Sequence, residues 1–97
     1  MSREVFQDNC FFCGKPARYT KTDAENCRFY VCDNPECGEI EISWRAMERL
    51  QDNKGRKAQI SAVAKEARRR SQIVRVILDS PTGELKVSVV NRSNAKD

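Results

Sequence analysis

The chain has 97 residues, a net charge of +4, five cysteines and no histidine. That length makes one domain or two very small units, and the lack of histidine removes the commonest general base and every Cys/His nucleophile pair. Charge is uneven, with 5 basic and 8 acidic residues from Met1 to Ser43, 10 and 3 from Trp44 to Arg75, and 3 and 3 beyond, so any polyanion is expected to prefer the middle of the chain.

The N-terminal MSREVFQDNC has no basic segment leading into an apolar one, so it does not read as a signal peptide. No apolar run approaches membrane-spanning length. The expectation is a cytoplasmic protein with no membrane partner, where structural disulfides are rare. The odd cysteine count also argues against a closed disulfide framework.

Up to Ser43 the bulky apolar residues are Phe6, Phe11, Phe12, Tyr19, Phe29, Tyr30, Ile40 and Ile42, with no leucine. A segment so poor in aliphatic residues needs a staple. The cysteines supply one: Cys10 and Cys13 in CFFCG are two residues apart, Cys32 and Cys37 in CDNPECG four apart, and each pair is closed by glycine. Zinc takes four tetrahedral ligands and favours thiolate. Glycine after the second thiol accepts positive φ and lets backbone N–H groups turn toward sulfur. The predicted ligands are Cys10, Cys13, Cys32 and Cys37, with Gly14 and Gly38 closing the knuckles. Iron in a rubredoxin-like cage remains an alternative to zinc, and so does a redox dithiol at Cys10 and Cys13. Cys27 lies four residues before Cys32, across the strand-like RFYV, which holds its two ends too far apart for one ion; it reads as a partly buried thiol outside the site.

In chain order, ARYTKT (17–22) and CRFYVC (27–32) read as strands joined by the polar TDAEN hairpin loop. EIEIS (39–43) alternates, placing Ile40 and Ile42 on one face and Glu39 and Glu41 on the other. Ser43 is placed to cap a helix beginning at Trp44, with Trp44, Met47 and Leu50 at helical spacing, Trp44 as core anchor and Gly55 as terminator. A second helix is predicted from about Arg56 to Arg70, with Ile60, Val63, Ala64 and Ala67 as its apolar stripe. Lys57, Ser61, Lys65, Arg68 and Gln72 form a polar flank, with Arg69 beside it. RRR at 68–70 has only Glu66 to offset it, and an anionic partner would relieve that repulsion. Lys57, Lys65, Arg68, Arg69 and Arg70 are therefore the predicted nucleic-acid contacts; the other reading of the same charges is a solvated helix face. The tail QIVRVILDSPTGELKVSVV reads as a hairpin turning at SPTG. Ile60, Ala64, Ala67, Val74 and Leu78 also keep helical phase, so a helix running on through RRR is the alternative. Residues 91–97 are predicted to fray.

The run C-x2-CG, FYVC-x4-CG, strand and helix, covering about Asn9 to Leu50, resembles small prokaryotic and phage zinc ribbons. It is similar to the Ogr/Delta type of phage late-transcription activator, a likeness that implies zinc on Cys10, Cys13, Cys32 and Cys37 and contacts to DNA and RNA polymerase. CFFCGKPA and CDNPECGEIEIS resemble more closely a bacterial ribbon module that precedes helices and a variable effector, which implies an accessory or sensor role. The expected fold is a small α+β protein. A three-stranded zinc ribbon occupies 1–43, and one or two helices and a C-terminal β-hairpin occupy 44–97. The expected function is a non-catalytic zinc-binding regulator that contacts nucleic acid through its basic helix, or alternatively a protein-interaction or accessory module, with no small-molecule substrate.

Overall fold

The computed structural model describes residues 5–22, 26–79 and 83–91. The tip of the TDAEN loop, most of the SPTG turn and the tail beyond Asn91 lie outside them. In chain order the elements are β1 (Phe6–Asn9), β2 (Pro16–Thr22), β3 (Cys27–Cys32), β4 (Glu39–Ser43), α1 (Trp44–Leu50), α2 (Lys54–Arg69), β5 (Gln72–Asp79) and β6 (Glu84–Asn91).

All six strands form one mixed sheet in the order β1-β2-β3-β4-β5-β6. Strands β1 to β4 are antiparallel neighbours, β4 and β5 pair in parallel, and β5 and β6 close an antiparallel hairpin. This corrects the expected architecture of a three-stranded ribbon followed by a separate hairpin. The hairpin does not stand alone: Ile40 sits opposite Val74 and Ile42 opposite Val76, which joins the cysteine-bearing strands and the tail in one sheet. Parallel strands need a crossover of a dozen residues or more, and α1 with α2 is that crossover. The β1 strand, whose Phe6 pairs with Tyr19, was not anticipated.

Period-2 alternation sends Ala17, Tyr19, Tyr30, Cys32, Ile40, Ile42, Val74 and Val76 to one face, where Met47, Leu50, Ile60, Ala64 and Ala67 of the helices cover them as a single core. Phe12 joins this core, edge-on to Tyr30 at 6.4 Å between ring centroids. On the opposite face Glu39 and Glu41 are nonetheless buried, and Glu41 accepts an ion pair from Arg75 at 2.9 Å.

The helices differ in detail from their sequence pattern. Ser43 caps α1 through Ala46 N–H at 3.2 Å, as its sequence position suggests. Trp44, however, is 52% exposed, and the anchors of α1 are Ala46, Met47 and Leu50. Gly55 ends nothing: Asn53 caps α2 by accepting from Arg56 N–H at 3.0 Å, so Gly55 lies in the first turn of α2. Val63, assigned to the apolar stripe, is 40% exposed. The helix stops at Arg69 rather than continuing, because Ser71 takes a left-handed conformation (φ 58°) and its N–H bonds back to the Arg68 carbonyl at 3.2 Å.

Candidate metal centre

Cys10 and Cys13 lie on the turn between β1 and β2, Cys32 ends β3, and Cys37 immediately precedes Gly38 and β4. The β2–β3 register, with Ala17 opposite Cys32, brings the two knuckles to the same end of the sheet. In the first, Cys10 N–H bonds to the Lys15 carbonyl at 2.7 Å and Gly14 N–H to the Cys10 carbonyl at 2.9 Å. Gly14 has φ 78°, the left-handed conformation expected of it. In the second, Asn34 accepts from Glu36 N–H through its side chain at 3.1 Å and from Cys37 N–H through its carbonyl at 3.0 Å.

The four sulfurs all lie within 4.8 Å of one another, with Cys10 to Cys37 at 4.0 Å and Cys13 to Cys32 at 3.3 Å. Four thiolates about 2.3 Å from one tetrahedral ion stand about 3.8 Å apart, so the separations match a tetrathiolate cage. No disulfide links any described cysteine. Cys10, Cys32 and Cys37 are buried and Cys13 is half-buried. The four cysteines are positioned to hold a metal ion. Cys27 lies outside the cluster, at the far end of β3 from Cys32 and on the opposite face of that strand.

The surroundings of the sulfurs are unequal. Backbone N–H groups of Phe12 and Cys13 turn toward Cys10, that of Asn34 toward Cys32, and that of Gly38 toward Cys37. The Cys37 thiol is held well below its usual range, first by the Cys10 thiol and then, against the opposing effect of burial, by the Ser61 hydroxyl and Gly38 N–H. Cys10 is pushed up because it shares its proton with Cys37 and is buried, and burial first of all raises Cys32 to about 12. Cys10 and Cys32 therefore retain protons that a cation would displace.

Gly38 differs from Gly14 in its role. It does not have positive φ. A Cβ there would collide with the Ala64 carbonyl oxygen and lie 2.8 Å from its carbon. Gly38 is thus the point where α2 rests directly on the second knuckle.

The predicted nucleic-acid residues fall largely on that same contact. Lys65 Nζ pairs with Glu36 at 2.7 Å. Arg68 Nη1 donates to the Cys32 carbonyl at 3.2 Å and the Asn34 carbonyl at 3.3 Å. Lys57 lies 4.3 Å from the Phe11 ring centroid and donates to the Gln51 carbonyl at 2.8 Å. Arg69 stands 3.8 Å from Glu66 on the outer surface, and Arg70 lines a groove beside β6. Lys57, Lys65 and Arg68 on this flank thus contact residues of the two knuckles, while Arg69 and Arg70 remain exposed. Ser61 is the site residue that sequence reasoning placed on the polar flank without a role; its position one turn from both Lys57 and Lys65 was the available signal.

No helix among the described residues is long and apolar enough to cross a membrane. Comparison with protein-family models, with curated proteins and with solved structures finds no match to this chain.

Proposed function

We propose that the four cysteines bind one zinc ion with a structural role, and that the protein is a non-catalytic protein-interaction module stabilised by that ion. The single observation that carries this reading is the set of contacts from α2 to the cysteine knuckles. Four thiolates around a divalent ion leave net negative charge. Ser61 places a hydroxyl against Cys37, Arg68 holds the Cys32 and Asn34 carbonyls, and Lys65 pairs with Glu36 of the second knuckle. Part of the clustered charge that called for an external polyanion is thus engaged within the chain, Lys65 by Glu36 and Arg68 by knuckle carbonyls. Nucleic-acid contact through the basic helix retains Arg69 and Arg70 for the purpose. All four thiolates are used in the cage, so no coordination position is left for an activated water. A reducing, cytoplasmic setting suits five unlinked thiols, and the accessory-module role implied by the ribbon resemblance fits the same picture.

Native mass spectrometry with elemental analysis tests the metal reading, the expected result being one zinc per chain in colourless protein. Folded metal-free protein rejects it, and visible absorption from a ferric tetrathiolate rejects zinc in favour of iron. A gel shift at low salt tests the rest. A complex that weakens when Arg68 and Arg69 are reversed in charge overturns the interaction-module reading in favour of nucleic acid.

A further inference from the structure

The last strand of the sheet carries a self-complementary edge. Among the described residues β6 pairs only with β5, so alternate N–H and C=O groups along Glu84–Asn91 point away from the sheet. Edges of this length are commonly blunted by charged side chains, proline, bulges or inward charge, and β6 carries Glu84 and Lys86 on its outer face. Here ELKVSVVN has none of these on its helix-side face, which carries Leu85, Val87 and Val89.

That face is incompletely covered. The α2 helix packs on β5 and leaves a groove of about 500 Å³ over β6, lined by Ala62, Val63, Glu66, Ala67, Arg70 and Val89 among others. Val63 is 40% and Val89 43% exposed, an uncovered apolar strip running beside an open edge.

We infer that the occupant is a second copy of this chain, joined β6 to β6 across a two-fold axis through Val87. The inference rests on the protein-interaction reading and names its partner. In this register Leu85 pairs with Val89 of the second copy and Val87 with its own equivalent, so the helix-side face is aliphatic throughout. On the other face Lys86 meets Ser88 and Glu84 meets Val90. Moving the axis to Lys86 would set two lysines directly opposite each other, and moving it to Ser88 would set Leu85 against Asn91. Of these three central axes, the one through Val87 avoids both.

The helices agree with this axis. The short connection at Arg70 and Ser71 makes α2 antiparallel to β5 and hence parallel to β6, so the two-fold sets the two α2 helices antiparallel. Val89 lies level with Val63 and Ala67 in the groove. Val87 then lies roughly one turn earlier along α2, near residue 60. Glu66, roughly a turn and a half beyond that level, is set across from the Lys54–Arg56 turn of the second copy, a charge-complementary pairing made twice. With each helix over its own β5, the axes stand about 14 Å apart, a gap suited to long charged side chains and too wide for close helix contact. The product is a continuous twelve-stranded sheet with both metal centres at its far ends.

Sedimentation equilibrium of the zinc-loaded protein tests this. The expected mass is twice the 11.1 kDa chain. Val89→Lys, at an exposed position, is expected to weaken association by about tenfold or more with zinc content unchanged. Glu66→Arg is expected to weaken it less, and more so at low salt. A wild-type protein that is monomeric at about 100 µM, above the micromolar or tighter Kd of standard-size interfaces, overturns the dimer and leaves the edge to a foreign strand. A dimer indifferent to Val89→Lys overturns the β6 axis. Because each readout is the mass of the protein alone, failure here is separate from failure of the interaction reading, which the nucleic-acid gel shift decides.

Discussion

The two knuckle glycines look equivalent in sequence, and the structure gives them different reasons for being glycine. Gly14 adopts φ 78°, yet an added Cβ would meet nothing within 4 Å. Gly14→Ala therefore costs only the left-handed penalty, about 1 kcal/mol. Gly38 has ordinary φ, but its Cβ would press into the backbone of Ala64, 2.8 Å from the carbonyl carbon and 3.2 Å from the Cβ. Ordinary contact begins near 3.4 Å. Neither neighbour is the far end of a flexible side chain, so α2 itself must shift. Overpacking of this kind costs about 3 kcal/mol, and the shift also draws the Ser61 hydroxyl away from Cys37. For a domain of this size 1 kcal/mol moves Tm by about 4–8 °C. Gly38→Ala is thus expected to lower Tm by about 15 °C and Gly14→Ala by about 5 °C. Thermal melts of the zinc-loaded proteins, paired with chelator competition, measure both. If Gly38→Ala melts within a degree or two of wild type, or if Gly14→Ala is the more damaging, then α2 does not rest on the second knuckle as described.

Cys37→Ser is expected to lose both metal and cooperative folding, since a structural zinc contributes about 10–16 kcal/mol in small finger peptides, whereas Cys27→Ser is expected to keep one zinc per chain; elemental analysis and circular dichroism compare them. Arg68→Gln removes two hydrogen bonds to knuckle carbonyls and is expected to cost about 1–3 kcal/mol and speed zinc loss to a chelator. Arg69→Gln, 74% exposed beside Glu66, is expected to leave zinc retention unchanged. Burial raises the Tyr30 hydroxyl above its ordinary value of 10.0, partly opposed by Arg28. Its contribution to stability is therefore complete below pH 10 and is lost as pH rises through the folded value. Urea melts should show an alkaline loss of stability that Tyr30→Phe diminishes.

How much of this was legible beforehand depended on how local each signal was. The cysteine spacing pointed to the cluster because each knuckle closes within a few residues and Cys-x-x-Cys-Gly has few ways to fold. The alternation in EIEIS and in the tail marked β4, β5 and β6 for the same reason. The parallel pairing of β4 with β5 was not legible. Ile40 and Val74 are far apart in sequence, and a period-2 strand carries no mark of which other strand it will join. The β1 strand was also missed, since FQDN has one bulky apolar residue and its pairing depends on the Phe6–Tyr19 stack at 5.1 Å. Trp44 and Val63 were assigned inward on helical phase alone. The helices' tilt over the sheet decides which edge of an apolar stripe is covered, and it left both residues exposed.

The amino-acid sequence by itself determined the grouping of four cysteines, strands β2 to β4 and the pair of helices after them, because spacing, alternation and capping act between near neighbours and require no knowledge of the rest of the chain. Only the tertiary structure decided that the tail completes the same sheet and that Lys65 and Arg68 of α2 reach the second cysteine knuckle. A run of lysines and arginines has the same periodicity whether its counter-charge is solvent, a polyanion or a tetrathiolate. Only the crossover from β4 to β5, by laying α2 against Gly38, brought Lys65 to Glu36 and Arg68 to the Cys32 and Asn34 carbonyls.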